Sequence, residues 1–210
     1  MTGSSRGSSR NHIKRLTITG MLSAIIIIMV YTPLGMITIG PISTTFAHVP
    51  ILIGLLVEGP VVGLVLALVF GAASMVRAYI SPTGLLSVFF QDPLISIIPR
   101  LFIPLTAWLF YKLLKKVLPD TKAMTKVAWA GAGLIGSLTN TVLVLAGLYL
   151  LHARGLIEKI NQSALTQYTN QPGQLLFYAV ALPNGIPEAI VTMVLVPAVL
   201  AAITAMKKRR

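Results

Sequence analysis

Arg100 is the side chain of this sequence best suited to bind an anion. It lies within the apolar run IIPRLF at positions 97–102, where a cation costs at least about 2.5 kcal/mol on membrane-insertion scales unless it has a partner. A guanidinium can hold a carboxylate through two parallel hydrogen bonds. We therefore predict that Arg100 receives an anionic group of a ligand. The structural alternatives are an ion pair with Glu188 or Asp92, or a side chain that reaches the membrane surface.

Two amides and a carboxyl group are further polar side chains within apolar sequence. Asn140 lies in GSLTNT at 136–141, and Asn184 and Glu188 are four residues apart in PNGIPE, so these two share one face if the segment is helical. Buried amides in an apolar medium need hydrogen-bonding partners. We predict that all three residues contribute to ligand binding. Alternatively, Asn140 bonds one helix to another and Glu188 pairs with Arg100.

Three candidates stand at the boundary between a loop and an apolar segment. Thr44 and Thr45 precede the apolar stretch that begins near Phe46, and His48 lies three residues after Thr45. The threonine hydroxyls can either contact a ligand or cap the next helix. His48 is a further candidate for ligand contact, with a purely structural histidine as the alternative.

The sequence gives no indication of a metal, a cofactor or an enzyme. It has no cysteine, and His12, His48 and His152 are far apart, which does not match the spacing of metal ligands. It contains no Walker A or HExxH motif. Active transport by this chain would therefore need an energy source outside it, either an ion gradient or ATPase subunits.

The composition indicates that these side chains are held by membrane helices. Of the 210 residues, 55% are hydrophobic and 10% are charged, against about 25% charged in soluble domains. Apolar segments long enough to cross a bilayer, or shielded by their neighbours, predict an all-α integral membrane fold with six transmembrane helices in a domain at 16–206. The predicted segments are 16–31, 46–57, 61–79, 93–114, 127–151 and 175–206.

The basic residues predict the orientation of the helices. Thirteen of the 17 lysines and arginines fall in the terminal tails at 1–15 and 207–210 or in the segment 112–126, which places both termini in the cytoplasm by the positive-inside rule. Because the charges form separate clusters and no continuous surface, nucleic-acid binding is not expected. The long loops at 34–45, 80–92 and 152–174 then face outward, where an importer first meets its ligand.

Gly20 and Ala24 form a pair of small residues on the first predicted helix. Small residues four apart let a second helix approach closely. A stand-alone secondary transporter is a rival hypothesis for the whole chain. It would require an ion-coupling site and usually inverted repeats, and no convincing repeat relates the two halves of this sequence.

Several blocks of sequence resemble the substrate-binding subunits of energy-coupling factor (ECF) transporters. They are MITIGPISTTFAHVP at 36–50, GPVVG at 59–63 with FGAAS at 70–74, DPLISIIPR at 92–100, and GSLTNT at 136–141. The resemblance covers about 16–206. It implies a six-helix subunit of the bacterial cell membrane that binds a vitamin tightly from outside and topples in the bilayer to deliver it. Its partners would be a transmembrane coupling subunit and two cytoplasmic ATPases.

The same resemblance suggests roles for individual residues. Gly20 and Ala24 occupy the positions that contact the coupling subunit, where the family often has alanine at both. An arginine in the fourth helix and an asparagine in the fifth are similar to the pantothenate subgroup. Arg100 would then take the carboxylate of pantothenate, while Asn140 and Thr44 or Thr45 take its polar groups. Cobalamin, folate and a pyrimidine precursor remain alternative ligands.

Overall fold

A computed structural model describes residues 4–39, 42–82, 86–161 and 176–208 of the chain. Arg209 and Arg210 of the predicted C-terminal tail, and most of the predicted outward loop at 152–174, lie outside the described residues. The predicted all-α membrane fold is confirmed. The α-helices are α1 Ser4–Tyr31, α2 Val49–Glu58, α3 Pro60–Ile80, α4 Pro93–Ser96, α5 Ile98–Val117, α6 Lys122–Asn161 and α7 Ile186–Lys208.

Within the described ranges, five helical stretches are long and apolar enough to cross a bilayer. They are His12–Tyr31, Pro60–Ile80, Pro93–Val117, Lys122–His152 and Ala181–Lys208. Helix α2 has only 10 residues, yet it is enclosed by the others, since Ile51, Leu52 and Leu55 are fully buried. It corresponds to the second predicted segment, 46–57. If α2 is counted as a sixth crossing, both ends of the chain lie on one side of the bilayer, as the distribution of basic residues predicts.

The segment 34–45, predicted as an irregular loop, contains a short antiparallel hairpin. Strand β1, Met36–Ile39, pairs with strand β2, Ile42–Thr45, in a register that sets Met36 opposite Thr45. The isoleucines and threonines of both strands are β-branched residues that favour extended backbone. A hydrogen bond from the Phe46 amide to the Gly35 carbonyl (2.9 Å) closes the base of the hairpin. The hairpin therefore leads directly into the start of α2.

Other boundaries differ from the predicted ones. Helix α1 begins at Ser4, inside the predicted basic tail, and α6 continues to Asn161 with a non-helical residue at His152 (φ −127°, ψ 22°). The fourth predicted segment is divided at Ile97 into α4 and α5. A π-helical stretch, Leu176–Gly185, precedes α7 and contains Pro183, consistent with the broken turn expected from the prolines of the sixth segment.

Helix α2 lies between the buried clusters of the bundle. On one side Ile51 packs with Ile26 of α1 and Phe70 of α3. On the other side, Leu52 and Leu55 join Ile103 of α5, together with residues of α6 and α7. The residue that immediately precedes α2, His48, is consequently held at the centre of the molecule.

Close packing of α3 against the break between α4 and α5 depends on one glycine. A Cβ atom at Gly71 would lie 2.9 Å from the Ser96 carbonyl oxygen and 3.0 Å from the Ile97 Cα. A larger residue at this position would separate α3 from the break. The break is the structural feature from which Arg100 projects.

An ion cluster joins α1 to the turn between α2 and α3. Glu58 lies 3.5 Å from the Lys14 amine and 3.7 Å from the Arg15 Nε, and Arg15 also donates to the Glu58 carbonyl. The following residue, Gly59, has φ +99°, a value that disfavours residues with a Cβ. This cluster fixes the end of α1 that is predicted to be cytoplasmic.

Candidate functional site

Arg100 lies in the first turn of α5 and is only 3% exposed. In a continuous helix the Ile95 carbonyl would accept the amide hydrogen of residue 99, but Pro99 has none. The Arg100 Nη1 donates to that carbonyl instead. The guanidinium carbon also lies 4.8 Å from the ring centre of Phe90 and 5.4 Å from that of Phe70, a cation–π arrangement. The break therefore creates the acceptor that orients the arginine.

Neither structural alternative predicted for Arg100 is found in the described part of the chain. Its side chain is buried inside the protein and does not extend to the protein surface, and no carboxylate of the described residues lies within 4.0 Å of its nitrogens. Asp92 instead lies 3.1 Å from His152 and caps α4. Among the described residues, the Nε of Arg100 has no hydrogen-bond partner. One donor of the cation is thus available to a ligand.

Glu188 brings together side chains from three separate elements. It lies in the first turn of α7 and is 4% exposed. Its Oε1 lies 3.2 Å from the Nδ1 of His48 and accepts from the Nδ2 of Asn140 on α6 at 3.5 Å. The Oδ1 of Asn140 is buried without a partner among the described residues. The structure thus joins three of the predicted site residues.

Thr192 completes this cluster and was not predicted from the sequence. Its hydroxyl lies 2.7 Å from the Nε2 of His48 and donates to the Glu188 carbonyl at 2.7 Å. Thr192 follows Glu188 by four residues and therefore lies on the same face of α7. That spacing was the signal in the sequence that could have identified it. We refer to His48, Asn140, Glu188 and Thr192 as the His48 cluster.

Arg100 adds a positive charge to the surroundings of the His48 cluster. It interacts electrostatically with both His48 and Glu188, although neither lies within ion-pair distance of it. Asn184 is buried one turn before Glu188. The interior of the bundle thus holds a cation, a carboxyl group, an imidazole and amides in one region, a combination suited to a small ligand with an acidic group and hydrogen-bonding groups.

The two threonines of β2 are placed differently from each other. The Thr45 hydroxyl accepts a hydrogen bond from the Ala47 amide at 3.4 Å, so it takes part in the turn before α2. This hydrogen bond resembles the predicted alternative, in which the Thr45 hydroxyl caps the next helix. Thr44 pairs with Ile37 in the hairpin, and its side chain lies outside the described part of the structure. Direct contact of either hydroxyl with a ligand remains a prediction.

Asp92 and His152 hold the outer ends of α4 and α6 together. The Asp92 carboxylate accepts from the Leu94 amide at 2.9 Å, and the His152 ring also lies 5.3 Å from the ring of Phe89. The Leu94 hydrogen bond, followed by the hydrogen bond to His152, lowers the pKa of Asp92 below its usual value of 3.8. These contacts fix the short α4 and the turn Ser87–Gln91 above Arg100.

Two further surfaces lie apart from the His48 cluster. A lateral groove of about 320 Å³ between α5 and α6 is lined mainly by apolar side chains, including Phe102 and Leu138, and it contains none of the predicted site residues. On α1, Gly20 and Ala24 are exposed, and a Cβ at Gly20 would have no atom within 4 Å. This small-residue face of α1 is therefore not covered by the described part of the chain.

Comparison with known proteins gives two findings. The family model described as "ECF transporter, substrate-specific component" matches residues 14–200. The chain is also similar to the Pantothenic acid transporter PanT of Lactococcus lactis subsp. cremoris (strain MG1363). The two are 27% identical over 177 residues, which is 78% of this chain and 79% of that protein. The region matched by the family model, 14–200, contains every residue of the His48 cluster as well as Arg100.

Proposed function

Because this chain belongs to the family of ECF transporter substrate-specific components, we propose that it captures pantothenate outside the bacterial cell and delivers it inward. Membership of this family makes the chain a multi-pass membrane subunit for vitamin uptake, and a transport protein rather than an enzyme. Pantothenate as the vitamin is supported by the relative named as a pantothenic acid transporter and by the chemistry of the buried side chains.

The buried Arg100 is the observation that most directly supports this ligand. It is 3% exposed and has an unpartnered Nε in the described structure, and it carries a charge without a carboxylate in contact. A buried cation without a counter-ion is costly, so an anionic ligand would stabilise the site. Pantothenate carries a single carboxylate, to which the guanidinium can donate charge-assisted hydrogen bonds.

The remaining groups of pantothenate, two hydroxyls and an amide, need acceptors and donors. The Oδ1 of Asn140 is buried without a partner among the described residues and can accept from a hydroxyl or an amide. Asn184, Glu188 and His48 are buried in the same region. Thr44 and Thr45, on the strand that leads to His48, are the proposed contacts from the outer side.

We further propose that transport requires a coupling module. Its transmembrane subunit would dock on the small-residue face of α1, where Gly20 and Ala24 allow close helix contact. Two cytoplasmic ATPase subunits would supply the energy, and toppling of the six-helix subunit would carry the ligand inward. Because this face of α1 is not covered by the described part of the chain, it is a better candidate for the docking surface than α2, which is enclosed by the other helices.

Mass spectrometry of the small molecule retained by the purified chain tests the ligand directly. We expect pantothenate in about one-to-one ratio, and calorimetry should show much weaker binding of pantothenol, which replaces the carboxylate with an alcohol. Retention of cobalamin, folate or a pyrimidine precursor would reject pantothenate but keep the family role. Uptake into liposomes by this chain alone would instead support a secondary transporter.

A further inference from the structure

The two halves of α1 are held to the rest of the molecule in different ways. In the outer half Ile26 and Val30 are buried. Arg77 of α3 also donates to the Val30 carbonyl, one of the last carbonyls of the helix, which have no donor within the helix itself. In the inner half, by contrast, no residue of the range His12–Ile25 is buried. The inner half of α1 therefore depends on a further anchor.

Glu58 provides that anchor. It is the last residue of the enclosed helix α2, and its side chain is only 9% exposed. Its carboxylate forms ion pairs with the Lys14 amine at 3.5 Å and the Arg15 Nε at 3.7 Å, and the hydrogen bond of this cluster runs from Arg15 to the main-chain carbonyl of Glu58. A carboxylate buried to this degree is unfavourable without nearby cations. The charge therefore draws the inner half of α1 onto the end of α2.

Two neighbouring cations on one carboxylate also fix the rotation of α1 about its own axis. Successive residues of an α-helix are about 100° apart, so the direction midway between Lys14 and Arg15 defines the side of α1 that faces Glu58. Gly20 lies about 190° and Ala24 about 230° around the helix from that direction. The ion cluster thus turns both small residues to the opposite side of α1, the side that the described part of the chain leaves uncovered at Gly20.

We propose that Glu58 is a positioning residue for partner binding, which holds the inner half of α1 in the orientation that presents Gly20 and Ala24 to the coupling subunit. This inference rests on the proposed function, because it takes the small-residue face of α1 as the docking surface. Glu58 has no part in binding the vitamin, since it ends α2 whereas His48 precedes the first residue of that helix.

The orientation of α1 can be measured without any partner. The sequence has no cysteine, so spin labels can be attached to Thr17→Cys on α1 and Met206→Cys on α7, which are both exposed positions. We expect a narrow distribution of distances between the labels in the full-length chain, and a broader or displaced one when Glu58→Gln is added. Asp120→Asn removes a different exposed ion pair, with Lys115, and is the matched control that should change nothing. Identical distributions with and without Glu58→Gln would overturn the proposal.

The consequence for assembly is tested by measuring the affinity of the chain for the coupling module in detergent. Glu58→Gln should lower this affinity by about fivefold or more, because close helix contacts depend on orientation, whereas Asp120→Asn should not. Arg15→Gln should also weaken assembly. The double variant Arg15→Gln/Glu58→Gln should lose no more than Glu58→Gln alone, since both residues act through one contact. Additive losses, or normal assembly of Glu58→Gln, would contradict the proposed role.

Binding of pantothenate to the isolated chain separates positioning from a general effect on folding. A merely structural role for Glu58 would lower the melting temperature and the pantothenate affinity together with assembly, so an equal loss of both affinities in Glu58→Gln would also reject the proposal. If Gly20→Leu assembles normally, the docking surface of the proposed function is wrong. The distance measurement alone then decides whether Glu58 orients α1.

Discussion

The guanidinium of Arg100 donates to the carbonyl of Ile95, the one carbonyl that Pro99 leaves without its helical donor. The break between α4 and α5 and the orientation of the buried cation therefore depend on each other. A proline is well tolerated in the first turn of an isolated helix, because the amide hydrogen there has no helical acceptor. Here α4 precedes α5, and the Ile95 carbonyl would have been that acceptor. At position 99 the proline also leaves the Ile95 carbonyl free to accept from Arg100, and this hydrogen bond orients the guanidinium inside the bundle.

Replacing Pro99 with alanine should weaken ligand binding without unfolding the protein. The new amide hydrogen would compete with Arg100 for the Ile95 carbonyl and favour a continuous helix from α4 into α5. We expect pantothenate affinity to fall by about fivefold to tenfold, or about 1–1.4 kcal/mol, with little change in melting temperature. Pro119→Ala, in the exposed turn after α5, is the control. Unchanged affinity in Pro99→Ala would show that Arg100 is oriented by other contacts.

Substitution of Arg100 should have the largest effect on affinity. Arg100→Ala removes a charge-assisted interaction, and we expect a loss of about 2 kcal/mol or more in pantothenate binding, roughly thirtyfold. Arg100→Lys keeps the charge but not the planar donor pattern, so its affinity should be intermediate. Calorimetry with pantothenol provides the control, because the Arg100 substitutions should reduce the affinity for this neutral analogue much less than the affinity for pantothenate. Equal losses for both ligands would argue against carboxylate recognition by Arg100.

Thr192→Val should destabilise the bundle and disturb the His48 cluster. The variant keeps the shape of the side chain but leaves the buried Nε2 of His48 without its hydrogen-bond partner, a penalty of about 1–3 kcal/mol. Thr192→Ser retains the hydroxyl and should behave nearly as wild type. Thermal unfolding of both variants in the same detergent measures the difference. If valine and serine lower the melting temperature equally, the loss of the hydrogen bond is not the cause, because serine retains the hydroxyl.

Bulky residues on the small-residue face of α1 should block assembly and leave the isolated subunit folded. In the described part of the chain no atom lies within 4 Å of a Cβ built at position 20, so the melting temperature of Gly20→Leu or Ala24→Leu should stay within a few degrees of wild type. Both should fail to co-purify with the coupling subunit. Ala198→Leu, an exposed position on α7, is the matched control. Normal co-purification of Gly20→Leu would place the interface elsewhere.

Acid should release the cap of α4. The pKa of Asp92 is lowered from 3.8 in the folded state, first by the Leu94 amide and then by His152. A lowered folded-state pKa gives a contribution that is present above the unfolded value and is lost as the pH falls through the folded value. Stability should thus be constant from neutral pH to about pH 4 and decline below it. Asp92→Asn should remove this part of the decline in thermal unfolding measured between about pH 3 and pH 5.

The membrane fold was predictable because hydrophobic burial in lipid requires long apolar runs, and five of the six crossings show them directly. The short α2 was also predicted, since Glu58-Gly59-Pro60 ends one apolar run and begins the next. The β-hairpin was missed because its four-residue strands lie next to a turn and have no helical or long alternating pattern. Their pairing depends on the chain around them.

The site was predictable only as a set of residue types. Polar side chains in apolar sequence identified Arg100, His48, Asn140 and Glu188, because burial of such groups requires partners. Their mutual arrangement was not predictable, since contacts between residues 48, 140 and 188 depend on how three helices pack. The pairing of Asp92 with His152, in place of Arg100, depends on the packing of α4 against α6, which the sequence does not reveal.

The length of α2 also limits how far a bound molecule must move. Ten residues of helix extend about 15 Å, half of a hydrocarbon layer about 30 Å thick, and the remainder of that crossing is completed by His48, Phe46 and the hairpin. A vitamin resting on the His48 cluster would already be near the midplane of the bilayer. Toppling of the subunit would then need to carry the vitamin across only about half of the bilayer thickness.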